Sequence, residues 1–113
     1  CVNEYFCLQV ARRSGLETPN AHLSHEGEIL AVERFDVVNG RRFAFEEMCA
    51  LKHYPNHGKY EGSYEEIAEI ISKIPVVATT QALASYFKMV AVSVMLKNGD
   101  AHLKNFGILY DDI

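Results

Sequence analysis

Asp100 and Asn105, with Lys104 between them, are the side chains of this sequence best suited to moving a phosphoryl group. A carboxylate can accept or orient the proton of an attacking hydroxyl, and an amide oxygen can hold a Mg2+ that bridges phosphates. A lysine ammonium beside them places a compact positive charge near the transferring oxygens. Catalysis of this kind is mainly positioning and charge stabilisation, so the residues belong on a loop fixed at both ends. The spacing alone has a plainer reading: Asp100 makes an Asx-turn after a helix, and Asn105 begins a turn into a strand.

The elements around the loop decide how much the spacing is worth. Upstream, a helix is expected from about Thr79 or Thr80 to Lys97. Leu83, Tyr86, Phe87, Val90 and Val94 form one stripe, and Met89, Ala91, Val92, Met95 and Leu96 leave little polar face. A helix apolar nearly all round reads as a central, buried one. Asn98-Gly99 should end it, and residues 106–110 read as a short strand. The loop is therefore expected between a helix and a β run, the setting that phosphoryl transfer needs.

Further upstream, Ser63 and Glu66 stand at capping-box spacing and open a helix with an inward stripe of Ile67, Ile70, Ile71 and Ile74, ended by Pro75. Residues 53–62, with Pro55, Gly58 and Gly62, read as loop. Residues 22–45 carry hairpin signals: Glu26-Gly27 as a turn, residues 29–35 as a β-rich run, and Asn39-Gly40 as a two-residue turn returning through residues 41–45. A short helix fits residues 46–51. Residues 2–14 read as the first helix, with Asn3 as N-cap, Gly15 as its stop, and Val2, Tyr5, Phe6 and Val10 on one face. Thr18-Pro19 forces an extended exit.

The 113 residues suit one domain, and 49% hydrophobic with 23% charged residues argues against disorder. A net charge of −4 provides no global basic field for nucleic acid or an anionic membrane. No run reaches the ~18 apolar residues of a membrane span. Cys1, Cys7 and Cys49 make an odd count without a C-x-x-C pair and read as free thiols in a reducing compartment, Cys7 and Cys49 in the core. His22 with His25, and His53 with His57, lack acidic or thiol partners at zinc-site spacing and read as surface or loop histidines. Glu61, Glu65, Glu66 and Glu69 read as a solvated acidic face, and Arg41-Arg42 as solvent-facing charges on a hairpin.

The wording of several stretches goes further than their spacing. Asn98-Gly99-Asp100-Ala101-His102-Leu103-Lys104-Asn105-Phe106 closely resembles the catalytic-loop motif of the HipA family of toxin kinases. Asn3-Glu4-x-Phe6-Cys7-Leu8, with Ala11-Arg12 and Gly15-Leu16, resembles that family's helix after the nucleotide-binding lysine. Val32-Glu33-Arg34-Phe35-Asp36 looks like its hinge. Lys59-Tyr60-Glu61-Gly62-Ser63-Tyr64-Glu65, with Ile67-Ala68, resembles the entry to its helical lobe. The four stretches occur in the family's order and cover most of the chain.

The resemblance implies an α+β fold, mainly helical, as a kinase-like fragment with a small antiparallel sheet at the N-terminal side. It implies one partial domain over residues 1–113. Helix, hairpins and hinge occupy 1–45, and a helical lobe with the catalytic loop 98–105 occupies 46–113. Asp100 would be the proton acceptor, with Lys104 beside it. Asn105 would bind Mg2+ on the phosphate side. Glu33, Arg34 and Phe35 would present hinge backbone to the adenine of ATP, and His102, Leu103, Lys104 and Asn105 would line the ATP site. Glu4 is a candidate for the helix glutamate that pairs with a nucleotide lysine.

The departures matter too. No G-x-G occurs and no strand lysine precedes the first helix, while Asp111 and Asp112 fall where a hairpin turn is expected rather than a second metal ligand. Both ends read as cut, so the expectation is a piece of a cytoplasmic serine/threonine protein kinase. Its parent would be the toxin of a toxin–antitoxin pair, acting on a protein hydroxyl. It would be regulated by a HipB-like antitoxin, meet DNA only through that antitoxin, and have no membrane partner. The piece alone should not turn over ATP and, with apolar surface left uncovered, should self-associate. The alternatives are a kinase-like phosphotransferase for a small molecule or lipid, and a non-catalytic interaction module. Phosphoinositide kinases also follow Asp with His two residues on and then Asn, but here Asn comes one residue later.

Overall fold

The computed structural model describes residues 1–51, 62–74, 79–97 and 105–111. Helix α1 spans Val2–Arg13 with Cys1 at its N-cap and no side-chain cap, so Asn3 lies inside the helix rather than at its cap. The stop is where the sequence placed it. Gly15 takes a left-handed φ of 81°, and the Leu16 and Gly15 N–H groups bond to the Ala11 and Arg12 carbonyls at 3.1 and 3.0 Å. These paired bonds satisfy carbonyls the helix end would leave open. Of the residues on the expected common face, Val2 and Phe6 are exposed and Tyr5 and Val10 half-buried, and α1 buries no residue among those described.

Strands β1 (Ala21–Leu23) and β2 (Leu30–Val32) pair antiparallel, with His22 opposite Ala31. Ser24 builds the turn between them: its N–H bonds to the Ile29 carbonyl, and its Oγ and carbonyl accept from the Ile29 and Gly27 N–H groups. A second sheet holds β3 (Val37–Val38), β4 (Arg41–Glu47) and β5 (Gly107–Asp111) in that order, all antiparallel. Asn39 and Gly40 both have positive φ, 51° and 77°, the conformation that matches a two-residue hairpin to the twist of its strands. The small sheet thus has two parts, and β5, from the C-terminal end, joins the second.

Helix α2 (Met48–Leu51) follows β4 directly, and α3 (Tyr64–Lys73) opens on the expected capping box. Ser63 Oγ accepts from Glu66 N–H at 3.3 Å, and Glu66 Oε2 accepts from Ser63 N–H at 3.2 Å. Helix α4 spans Thr79–Met95. The core gathers Met48, Ile67, Ile71, Tyr86 and Phe106, with Ile70, Ala82, Leu83, Val90 and Ile108 packed around it. The isoleucine stripe of α3 is therefore core, as its spacing predicts, with Ile74 half-buried at the C-cap.

α4 departs from expectation. Only Tyr86 is buried along it, and Phe87 and Met95 are 72% and 81% exposed. A helix apolar all round needs neighbours on every side, and the described elements cover one side of this one. No helix among the described residues is long and apolar enough to cross a membrane. The three cysteines are free: Cys49 packs against the core, Cys7 is half-buried and Cys1 exposed.

Candidate functional site

Both ends of the proposed catalytic loop are anchored. On the helix side, Leu96 and Lys97 N–H groups bond to the Val92 and Val94 carbonyls at 2.9 and 3.0 Å. Lys97 then adopts φ 53°, so the chain turns off α4 at Lys97, one residue before Asn98-Gly99. On the strand side, Asn105 is exposed and Phe106 is buried. The Phe106 ring meets Tyr86 and Tyr64 edge-on at 5.5 and 6.3 Å, and its carbonyl accepts from Met48 N–H at 2.9 Å. Aromatic edge contacts and a backbone bond on one residue fix the exit of the loop in position and direction. Asp100, His102, Leu103 and Lys104 lie outside the described residues.

The hinge stretch leaves β2 and bends toward β3. Glu33 N–H bonds to the Asn20 carbonyl at 2.9 Å, and Glu33 Oε2 accepts from Asn20 Nδ2 at 2.8 Å. Arg34 closes a two-pronged ion pair on Asp36, Nε to Oδ1 at 2.9 Å with Nη2 on Oδ2. That bond and charge hold the Asp36 carboxyl below its usual pKa and raise Arg34. Asp36 also accepts Phe43 N–H at its carbonyl, tying the bend to β4. Among the described residues the backbone groups of Arg34 and Phe35 have no partner.

Glu33, Arg34 and Phe35 line a cavity of about 510 Å³ together with residues 17–20 and Leu109 of β5. Leu109 pairs with Phe45, whose ring meets Phe35 edge-on at 5.3 Å. Leu109 therefore brings the strand that begins just after Asn105 to the hinge. At ~3.4 Å per residue, the four steps from Asn105 to Leu109 cover at most ~14 Å. A second cavity, about 390 Å³, lies between α1 and α4, lined by Glu4, Cys7, Leu8 and Ala11 on one side and Met89, Val92, Ser93 and Leu96 on the other.

Asn105 carries an amide oxygen, the class of donor that Mg2+ takes. Asp111 is committed elsewhere: it ends β5 rather than lying in a turn and pairs at 2.7 Å with Arg41, which is exposed on the β3–β4 hairpin as expected. Asp112 lies outside the described residues. No cluster of three His, Cys, Asp or Glu side chains occurs among the described residues.

Two residues that sequence reasoning did not assign to a site adjoin the hinge. Leu109 was legible only as one of a β run, and its place opposite Phe45 depends on register. Asn20 gave no signal, because its partners Glu33 and Arg12 lie 13 and 8 residues away in sequence.

A family model described as the HipA-like C-terminal domain matches residues 1–113. Among curated proteins the chain is similar to "Putative kinase Y4dM" of Sinorhizobium fredii (strain NBRC 101917 / NGR234), 25% identical over 125 residues, with 97% of this chain and 30% of that protein covered. It is also similar to "Putative kinase Y4mE" of the same strain, 31% identical over 121 residues, with 97% of this chain and 29% of that protein covered. The chain thus spans under a third of the length of either relative. Matched along its whole length by the family model, this kinase-like chain belongs to the HipA-like C-terminal domain family.

Proposed function

We propose that this chain is the part of an ATP-dependent serine/threonine protein kinase that holds the hinge and the catalytic loop. The observation that carries the reading is the β4–β5 pairing. One strand brings Leu109 to the hinge cavity, and Asn105, two residues before that strand begins, belongs to the Asp100–Asn105 motif.

In this reading, backbone groups of the hinge over Glu33, Arg34 and Phe35 hold the adenine edge of ATP, with the Glu33 N–H already given to Asn20. His102, Leu103 and Lys104 line the phosphate side. Asn105 would hold Mg2+ through its amide oxygen, and the ion when bound would offset phosphate charge. Asp100 accepts the proton of a substrate serine or threonine hydroxyl as that oxygen bonds to the γ-phosphorus. The bond from the γ-phosphorus to the bridging oxygen breaks, and ADP leaves. Lys104 steadies the charge on the equatorial oxygens. The parent is a cytoplasmic toxin restrained by a HipB-like antitoxin, which alone contacts DNA.

The intact parent, incubated with γ-labelled ATP and Mg2+, should label protein, and Asp100→Ala should reduce that transfer by roughly 10²–10⁴-fold. Undiminished transfer would remove Asp100 from the mechanism. Label found only on lipid or sugar would replace the protein-kinase reading with that of a small-molecule kinase. The 113-residue chain by itself should show no transfer.

A further inference from the structure

The side chains of Arg12, Thr18, Asn20 and Glu33 meet at the start of the hinge. Arg12, in the last turn of α1, donates from Nε to Thr18 Oγ1 at 3.0 Å. From Nη2 it donates to the Pro19 carbonyl at 2.9 Å and to Asn20 Oδ1 at 3.2 Å. Asn20 passes the restraint on through its other amide atom, with Nδ2 donating to Glu33 Oε2 at 2.8 Å. Its own carbonyl accepts the Glu33 N–H at 2.9 Å, extending the β1–β2 ladder by one rung. Each amide atom of Asn20 thus has one partner, one on the helix and one on the hinge.

We infer that Arg12 and Asn20 are positioning residues that tie the C-terminal end of α1 to the first residue of the hinge, so that a shift of α1 moves the backbone at Glu33, Arg34 and Phe35. The inference rests on the kinase reading only for its consequence, ATP affinity; the relay itself is a matter of geometry. An arginine fork spread over two carbonyl groups and a hydroxyl holds a connector more rigidly than a single bond can. Thr18-Pro19 supports this, because proline fixes the extended path on which the fork closes. Glu33 is held twice by one residue, at its backbone and its carboxylate. The hinge enters its cavity with that end immobile, and Arg34 with Asp36 secures the other end.

The donor and acceptor assignment provides the test. Asn20→Asp keeps an oxygen for Arg12 but sets a carboxylate against the Glu33 carboxylate. Glu33→Gln in the same chain restores a donor on the opposite side of that contact. Amide hydrogen exchange on the 113-residue chain should show Glu33 losing protection roughly 10-fold in Asn20→Asp and regaining most of it in the double variant. Core amides of α3 and α4 should be unchanged in both. Arg12→Ala should act in the same direction as Asn20→Asp. Unchanged Glu33 protection in Asn20→Asp, or a double variant no better than the single, would overturn the relay.

In the intact parent the same pair is read by kinetics. KM for ATP should rise roughly 5- to 10-fold in Asn20→Asp, with kcat nearly kept, and return in the double variant. A fall in kcat with KM unmoved would overturn the link to nucleotide positioning. A wild-type parent that uses no ATP would sink the kinase reading, while the exchange data would still decide the relay.

Discussion

Tyr86 sits where α4 meets the entry to β5. Its ring packs on Phe106, and its hydroxyl donates to the Tyr64 carbonyl at 3.0 Å. Burial pushes its pKa up to about 12, with smaller contributions from Tyr64 and Glu65. The ionised phenolate is disfavoured in the fold and free to form in the unfolded chain, where tyrosine titrates near pH ~10. The stability this group contributes is therefore complete below pH ~10 and lost as the pH rises through about 12. Tyr86→Phe should remove that alkaline loss and, at neutral pH, cost about 1 kcal/mol for the missing hydrogen bond. Chemical denaturation of both proteins at pH 8 and at pH 11 checks it: the gap between them should narrow or reverse at the higher pH. An unchanged gap would show that Tyr86 ionises as freely in the fold as outside it. The wider point concerns the loop. Phe106 fixes the exit of the Asp100–Asn105 motif, and Tyr86 and Met48 fix Phe106, so the candidate site depends on a core that bears no chemistry itself.

At the scale of elements, local chemistry was legible where a few neighbouring residues decide the outcome. The Ser63 and Glu66 capping box, the Gly15 stop and the Asn39-Gly40 hairpin each depend on contacts within a few residues. Faces were not legible in the same way. The all-round apolar α4 was read as buried, yet burial depends on which neighbour arrives, and periodicity does not contain that. Strand partners were hidden for the same reason: nothing in residues 41–47 announces β5 as their partner. The pairing does leave one mark. A Cβ on Gly107 would lie 2.8 Å from the Glu46 carbonyl oxygen and would also strike the Phe45 ring. The ring can swing aside, but the backbone oxygen is held in the ladder. Gly107→Ala should therefore cost roughly 1–3 kcal/mol, seen as a lower urea midpoint. Because β5 begins two residues after Asn105, the same change should weaken ATP use by the intact parent. An unchanged midpoint would mean that β4 and β5 lie further apart than described.

For the whole molecule, the motif of the candidate site was legible in order and type, but its assembly was not. Glu33, Arg34 and Phe35 gather at one cavity, whereas the contribution of Leu109 depends on a strand pairing across more than sixty residues, Phe45 to Leu109. The same scale explains the exposed apolar surface. Phe87, Val94 and Met95 stand on one helix at 72%, 61% and 81% exposure, and Val2 and Phe6 are each 58% exposed on another. Apolar surface so placed is favourable to bury at ~25 cal/mol per Å², whichever partner supplies the cover. A chain of this length by itself has only a second copy to offer. Sedimentation velocity over a range of concentrations should therefore show a weight-average mass rising above 12.7 kDa. Phe87→Lys together with Met95→Lys should return the chain to a monomer, because two ammonium groups on that stripe cannot be desolvated without a partner. Tyr86, which faces the core, is untouched by either change, so the helix should keep its place. A wild-type chain that stays monomeric at the highest concentration would mean that this stripe packs within the molecule, against a surface other than the one described.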